Sequence, residues 1–229
     1  MGACDMGLME ECRPKTLSDV VFAYEHAREI ASEYATRVRA FHPLLFGPFG
    51  SGKTSLAKVM ALQRFAGSME LETINYYTWN CGTGKMEEFE KLYSRVTGPY
   101  YANCNSFVGQ GDDICIINDI DRANPEEVRK LRAMMEIGDY LTFILTTNHL
   151  EGVDPGIRSR AEEIEIPMPS SMQWLPRAKA ILHGKGVFNV ADNELLSVLA
   201  ECRDVRKILM SLDRLVISKA RPKMMLSVV

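Results

Sequence analysis

The stretch that most constrains this chain is Gly47-Pro48-Phe49-Gly50-Ser51-Gly52-Lys53-Thr54. It has the spacing G-x-x-x-x-G-K-[ST], and its flanks matter as much as its letters. The apolar run at 44–46 precedes it, and a segment free of Gly and Pro until Gly67 follows. A strand, a tight glycine turn and a helix are therefore predicted in succession. Glycines let the backbone wrap closely around a phosphate with its N–H groups pointing inward. A helix starting near Thr54 adds the positive end of its dipole at the same place. Lys53 then neutralises β- and γ-phosphate charge, and the Thr54 hydroxyl ligates Mg²⁺. A turn that binds nothing rarely has all of these letters in this context. Gly47 to Thr54, with Ser55, are assigned to nucleotide binding.

The rest of the chain supplies strands and helices in alternation. Thr16 or Ser18 caps the first polar segment, and residues 23–41 place Ala27, Ile30, Ala31, Tyr34 and Val38 at helical spacing. "LETINYYTW" (71–79) has strand composition, and "MEEFEKLYSRV" (86–96) is helical. Residues 98–113 are rich in turn formers and read as irregular. "ICIIND" (114–119) is a buried strand, and the helix from Asn124 has that residue as cap, Pro125 first and Gly138 near its end. "YLTFILTTN" (140–148) and "EEIEIP" (162–167) are further strands. Such alternation predicts an α/β fold with a parallel sheet covered on both faces. Past Pro167–Ser171 the strand signal stops and three helical segments follow. The expected division is an α/β nucleotide-binding base over 1–168 and a small α-helical lid over 169–229.

Composition excludes some classes. No apolar run approaches the roughly 18 residues of a membrane helix, and the first residues lack a secretory pattern. Cys4, Cys12, Cys81, Cys104, Cys115 and Cys202 form no C-x-x-C pair, so free thiols in a reducing compartment are expected and a zinc site is not. The chain is expected in the cytoplasm, or in the nucleus or host cytoplasm if viral, and not secreted. The formal charge of −3 hides an asymmetry: residues 166–229 carry 10 Lys and Arg against 5 Asp and Glu. A net acidic chain can still present a local basic face to nucleic acid.

"RPKTLSDVV" (13–21), the phosphate loop, "CIINDIDRA" (115–123), "LRAMME" (131–136), "LTTN" (145–148), "IRSRA" (157–161) and "DVRK" (204–207) resemble, in order and spacing, the AAA+ clamp-loader small subunits. These are the replication factor C type and their phage counterparts, and the resemblance runs from about Arg13 to about Leu212. It implies a P-loop AAA+ base plus a helical lid, with ATP between them at a subunit interface. It places Val20 and Val21 near the adenine. Asn148 falls at the sensor position that orients the attacking water. Arg160 matches the arginine of the family's Ser-Arg-Cys motif, which acts in trans on a neighbour's γ-phosphate, with Ala161 here in place of the cysteine. Arg158 is a nearby competitor. Arg206 matches a second sensor reaching the γ-phosphate in cis, with Lys207 as the alternative.

In the same register Asn118 stands where an aspartate usually supports the Mg²⁺ shell, and Asp119 where a glutamate usually polarises the attacking water. Asn keeps an acceptor oxygen without the charge. Asp119 keeps the carboxylate, one methylene shorter. Consecutive strand residues point to opposite sides, so the two cannot share one role. A second register would make Asp119 the metal-supporting residue and Asp121 the base, the two sharing one face of an extended chain. "INDIDR" (117–122) aligns without a gap to the phage pattern in the first register, which is preferred. ATP binding with slow, partner-dependent hydrolysis follows, and complete loss of hydrolysis stays open.

The resemblance further implies other AAA+ subunits in a ring or spiral, a sliding clamp, and primer–template DNA as partners. Lys85 and Arg122 lie at positions resembling backbone-directed DNA contacts, which are salt-sensitive and blind to sequence. Taken singly, each also reads as a solvated surface charge. Val128 stands where the family often carries glutamine, and the family's helical collar is not expected within this sequence, which stops at Val229: either the chain is truncated, or a partner supplies the collar, or assembly runs through base–lid contacts alone. A non-hydrolysing AAA+ scaffold and a different motor, such as a helicase loader or branch-migration ATPase, are the competing readings.

Overall fold

The structure is a computed structural model that describes residues 8–66, 76–97, 113–136 and 141–224. Five strands form one sheet: β1 (His42–Phe46), β2 (Tyr76–Asn80), β3 (Asp113–Asn118), β4 (Leu141–Thr147) and β5 (Ala161–Glu165). Their order is β2-β3-β4-β1-β5 and every pairing is parallel. The helices are α1 (Leu8–Glu11), α2 (Glu25–Ala35), α3 (Lys53–Ala66), α4 (Met86–Thr97), α5 (Pro125–Met135), α6 (Pro155–Arg158), α7 (Ser171–Gly184), α8 (Asp192–Ala200) and α9 (Val205–Met224).

The sheet is apolar on both sides because helices cover both. Leu45, Ile114, Ile116 and Ile144 pack with Tyr34 of α2 and with Leu56 and Met60 of α3. Cys115, Ile117, Phe143 and Leu145 face the other way, against Phe89 of α4 and Leu131 and Met134 of α5. This period-two division of β3 and β4 is what a doubly covered parallel sheet requires. A third cluster joins α7, α8 and α9 through Trp174, Ile181, Leu195 and Leu212, a C-terminal helical region consistent with a lid. Leu8 of α1 is buried in that third cluster, although it is the first described residue.

Local signals explain several boundaries. Asn124 Oδ1 accepts from the N–H groups of Glu126 and Glu127 at 3.0 and 2.9 Å, and Pro125 opens α5 as expected. Near the N-terminus Thr16 precedes a 3-10 turn over Leu17–Asp19, and Asp19 Oδ2 accepts from the N–H groups of Lys15 and Thr16. The helix expected over 23–41 is shorter. It ends at Ala35, Arg37 adopts a left-handed φ of 60°, and Val38 is 71% exposed. The Arg37 guanidinium donates to the Arg64 carbonyl at 3.1 Å, which anchors the turn and takes Val38 off the apolar face. Of the irregular stretch expected at 98–113, Asp113 instead opens β3, paired with Leu141, and residues 98–112 lie outside the described residues, as do the N-terminal part of the strand expected at 71–79, Gly138, Cys4 and Cys104. Among the described residues Cys12, Cys81, Cys115 and Cys202 are free thiols, and no helix is long and apolar enough to cross a membrane.

Candidate nucleotide site

The sheet order places the site. Phe46 at the end of β1 pairs with Thr147 at the end of β4, so the turns that follow, at Gly47 and Asn148, begin side by side. β3 flanks β4 on the other edge, with Ile117 opposite Leu145. Three C-terminal strand ends therefore converge, the usual ligand position in open parallel sheets.

The loop itself depends on glycine. Gly47, Gly50 and Gly52 have φ of 151°, 75° and 100°. A Cβ on Gly47 would collide with the Ile166 carbonyl, and one on Gly50 with the Asp204 side chain. Thus Gly50 serves both the turn and the approach of the C-terminal helices: the Val205 N–H, at the start of α9, donates to the Gly50 carbonyl at 2.9 Å. Phe49 projects outward, 59% exposed, with its ring edge-on to His149 at 5.8 Å. Thr54 is exposed and Ser55 half-buried in the first turn of α3.

Lys53 is the hub. Its ammonium donates to the carbonyls of Gly47 (2.9 Å) and Pro48 (2.7 Å) and to Asn148 Oδ1 (2.9 Å). Asn148 Nδ2 in turn donates to Asp119 Oδ1 at 3.2 Å. One amide side chain thus joins the loop lysine to the candidate acid. Burial pulls the Lys53 ammonium down to about 8, against the opposing pull of Asp119 and Asp121. A phosphate beside Lys53 would raise that value, so binding above pH 8 must take up a proton. ATP affinity is therefore expected to be about tenfold weaker at pH 9 than at pH 7 and level below pH 7. A titration series by calorimetry checks this, and a flat profile would argue against Lys53 as the phosphate partner.

The two unusual residues occupy different settings. Asn118 continues the face of β3 that carries Ile114 and Ile116, the side packed on α3. Its Oδ1 accepts from the Thr146 hydroxyl at 3.1 Å and its Nδ2 donates to Asn80 Oδ1 at 3.0 Å. Asp119 is left-handed, with φ 53° and ψ 47°, and caps a 3-10 turn over Ile120–Arg122. The expectation of an extended chain through Asp121 is corrected here: the strand ends at Asn118, and Asp119 and Asp121 do not share a strand face. Asp121 instead accepts from the Thr147 hydroxyl at 2.6 Å. Sequence reasoning missed Asn80 and Thr146, whose places beside Asn118 depend on strand pairing, and Asp204, whose contact with the loop depends on helix docking.

Val20 and Val21 line a cleft with Ser51, Gly52, Leu56 and Ile166. The Ser51 hydroxyl is buried there and has no hydrogen-bond partner among the described residues. An unpaired buried hydroxyl costs about 1–3 kcal/mol, which a polar ligand in the cleft would relieve. Together with the glycine cradle, this orphaned donor fits a nucleotide. Mg²⁺ fits less well: Asn118 is neutral and its amide is already engaged at both ends, leaving the Thr54 hydroxyl as the open member of the predicted pair.

Arg206 follows Val205 at the loop contact and is exposed, as is Lys207. Arg160 is placed far from it, immediately before β5. His42 at the start of β1 pairs with Ala161, whereas Phe46 at the loop end pairs with Glu165, so Arg160 lies at the opposite edge of the sheet from the phosphate loop. Its guanidinium donates to the Gly156 carbonyl at 2.7 Å and pairs with Glu136. Arg158 pairs with Glu163 at 2.7 Å and Glu151 at 3.5 Å. Lys85 and Arg122 are exposed on neighbouring loops, with Gly82 packed against the Arg122 side chain.

Comparison with known proteins agrees with this architecture. Residues 43–168 match the ATPase family associated with various cellular activities (AAA). Replication factor C small subunit 2 of Pyrobaculum islandicum is 25% identical over 212 residues, covering 89% of this chain and 62% of that protein. Human replication factor C subunit 5 is 24% identical, covering 88% and 57%. The sliding-clamp-loader large subunit of Escherichia phage RB69 is 26% identical, covering 77% and 51%. The chain thus spans little more than half the length of these relatives. Among solved structures, the Thermotoga maritima RuvB Holliday junction branch migration motor superposes with a TM-score of 0.65 at 18% identity, over 90% of this chain and 64% of that one, a likeness of fold. With more than half of its length matched and the loop, sheet order and strand-end convergence in place, the chain belongs to the AAA family of ATPases.

Proposed function

We propose that this chain is an ATP-binding, slowly hydrolysing AAA+ subunit of a clamp-loader-like assembly, which forms a ring or spiral with other AAA+ subunits on primer–template DNA and opens a sliding clamp. The observation that carries the reading is the line from Lys53 through Asn148 to Asp119, which joins the phosphate loop, β4 and β3 at one edge of the sheet. The names of the replication factor C and phage relatives support the clamp-loader setting. In this reading Val20 and Val21 flank the base, residues Gly47 to Ser55 hold the phosphates, and Arg206 approaches the γ-phosphate in cis. Asn148 and Asp119 orient the attacking water, and Arg160 serves the neighbouring subunit's nucleotide. Lys85 and Arg122, exposed near one another, contact DNA phosphates. Residues 1–168 act as the base and 169–229 as the lid, inside the cell and off the membrane.

A hydrolysis-impaired scaffold is the second reading, favoured by the neutral Asn118 amide, whose oxygen and nitrogen each already hold a partner. Multiple-turnover phosphate release, with and without primer–template DNA and a sliding clamp, separates the two. The expected result is slow basal release that DNA and clamp together stimulate. Zero turnover under every combination would reject the enzyme.

A further inference from the structure

Asn118 is 4% exposed at the end of β3, and its amide is spent on its neighbours. Thr146 of β4 donates to its oxygen and Asn80 of β2 takes its nitrogen, at 3.1 and 3.0 Å. The residue therefore works as a cross-strand clamp, holding β2, β3 and β4 together where they end. A carboxylate in its place would offer about four lone-pair sites and a full charge, whereas this amide has one lone pair left and no charge.

The two carboxylates that follow do not replace it. The left-handed turn at Asp119 carries its carboxylate to Asn148, and Asp121 is taken by Thr147 at 2.6 Å. Asp119 reaches Lys53 only through Asn148, the lysine itself donating to the Gly47 and Pro48 carbonyls and to Asn148 Oδ1. Among the described residues no group of three His, Cys, Asp or Glu side chains stands ready for a metal ion. Mg²⁺ in phosphate sites is ordinarily held by one or two carboxylates together with the phosphates. Here the positive charge for a phosphate comes from Lys53, and the remaining donors are the N–H groups of the glycine loop.

Resting on the nucleotide-binding reading above, we propose that this chain holds its nucleotide largely without Mg²⁺, the phosphate charge being met by Lys53 and the loop backbone. Asn118 sets this behaviour. Its replacement by aspartate is compatible with the packing, because Thr146 can still donate and the exposed Asn80 amide can turn to donate as well.

The test is the affinity of the full chain for ATP, measured by calorimetry in EDTA and in excess Mg²⁺, for the natural sequence and for Asn118→Asp. The natural chain is expected to bind within about threefold under the two conditions. Asn118→Asp is expected to tighten by about 10- to 100-fold when Mg²⁺ is added, the usual weight of a single supporting ligand. Tightening of the natural chain by about tenfold or more would overturn the proposal, and this comparison stands even if the variant fails to fold. A folded variant that stays indifferent to Mg²⁺ would overturn the assignment to Asn118. Absence of ATP binding under both conditions would reject the nucleotide-binding reading itself, a different result from Mg²⁺-dependent binding.

Discussion

Replacing Arg160 with alanine is expected to cut assembly-dependent ATP turnover by about a thousandfold or more, the scale of a lost arginine finger, while leaving ATP affinity of the isolated chain within about twofold. The reason is positional. Arg160 stands before the first residue of β5, and the phosphate loop follows the last residue of β1, its parallel neighbour. Five residues of extended chain separate those edges by roughly 16 Å, too far for a guanidinium to serve its own nucleotide. On the proposed reading, the phosphate that Arg160 serves is another subunit's. Its present partners, the Gly156 carbonyl and Glu136, hold it against the end of α5. Arg158 is the control: two carboxylates already engage it, and Arg158→Ala should leave most of the stimulated rate intact. Turnover assays on the assembled complex, beside affinity measurements on the single chain, check both halves. Stimulated turnover that survives Arg160→Ala, or that is lost in Arg158→Ala alone, would move the role elsewhere.

Lys53→Met is expected to weaken ATP binding by at least about 100-fold. Methionine fills the same buried volume, so the fold should survive with a small loss of stability. What disappears is the cation and three hydrogen bonds, leaving the Gly47 and Pro48 carbonyls and Asn148 Oδ1 without their donor. Hydrogen bonds to charged groups contribute about 1.5–3 kcal/mol each, so losing even two toward a phosphate reaches the expected scale. The variant should also abolish the weakening of affinity expected between pH 7 and pH 9. Near-normal ATP affinity in a folded Lys53→Met chain would remove the lysine from the phosphate site.

Much of this arrangement was legible in the sequence, and the parts that were not have physical causes. The glycine loop between an apolar strand and a helix, the capped start of α5 and the apolar runs of β3 and β4 are local patterns, and local patterns can be read from adjacent residues. The left-handed turn at Asp119 had no glycine to announce it, and a positive φ is uncommon in other residues. The strand was therefore carried one residue too far, to Asp119, and in the second register three, to Asp121. The early end of α2 was hidden for a related reason: its helical spacing continues to Val38, while the decisive contact comes from Arg64, 27 positions away in sequence from Arg37. Asn118 could be named as unusual from its position alone. That its amide is consumed by Asn80 and Thr146 depends on the β2-β3-β4 neighbourhood, which only the folded sheet supplies.

The burial of Leu8 among the C-terminal helices has a mechanical consequence. Among the described residues the chain crosses between the sheet and the C-terminal helices twice, once through residues 12–24 and once through 166–170. The first crossing is fastened at its start by the Glu11–Lys185 ion pair and along its length by Asp19–Arg177 at 2.8 Å. A body tethered at one point can swivel in any direction, whereas a body tethered at two turns about the line joining them. Val20 and Val21 sit on the first tether, so one wall of the cleft is part of the axle.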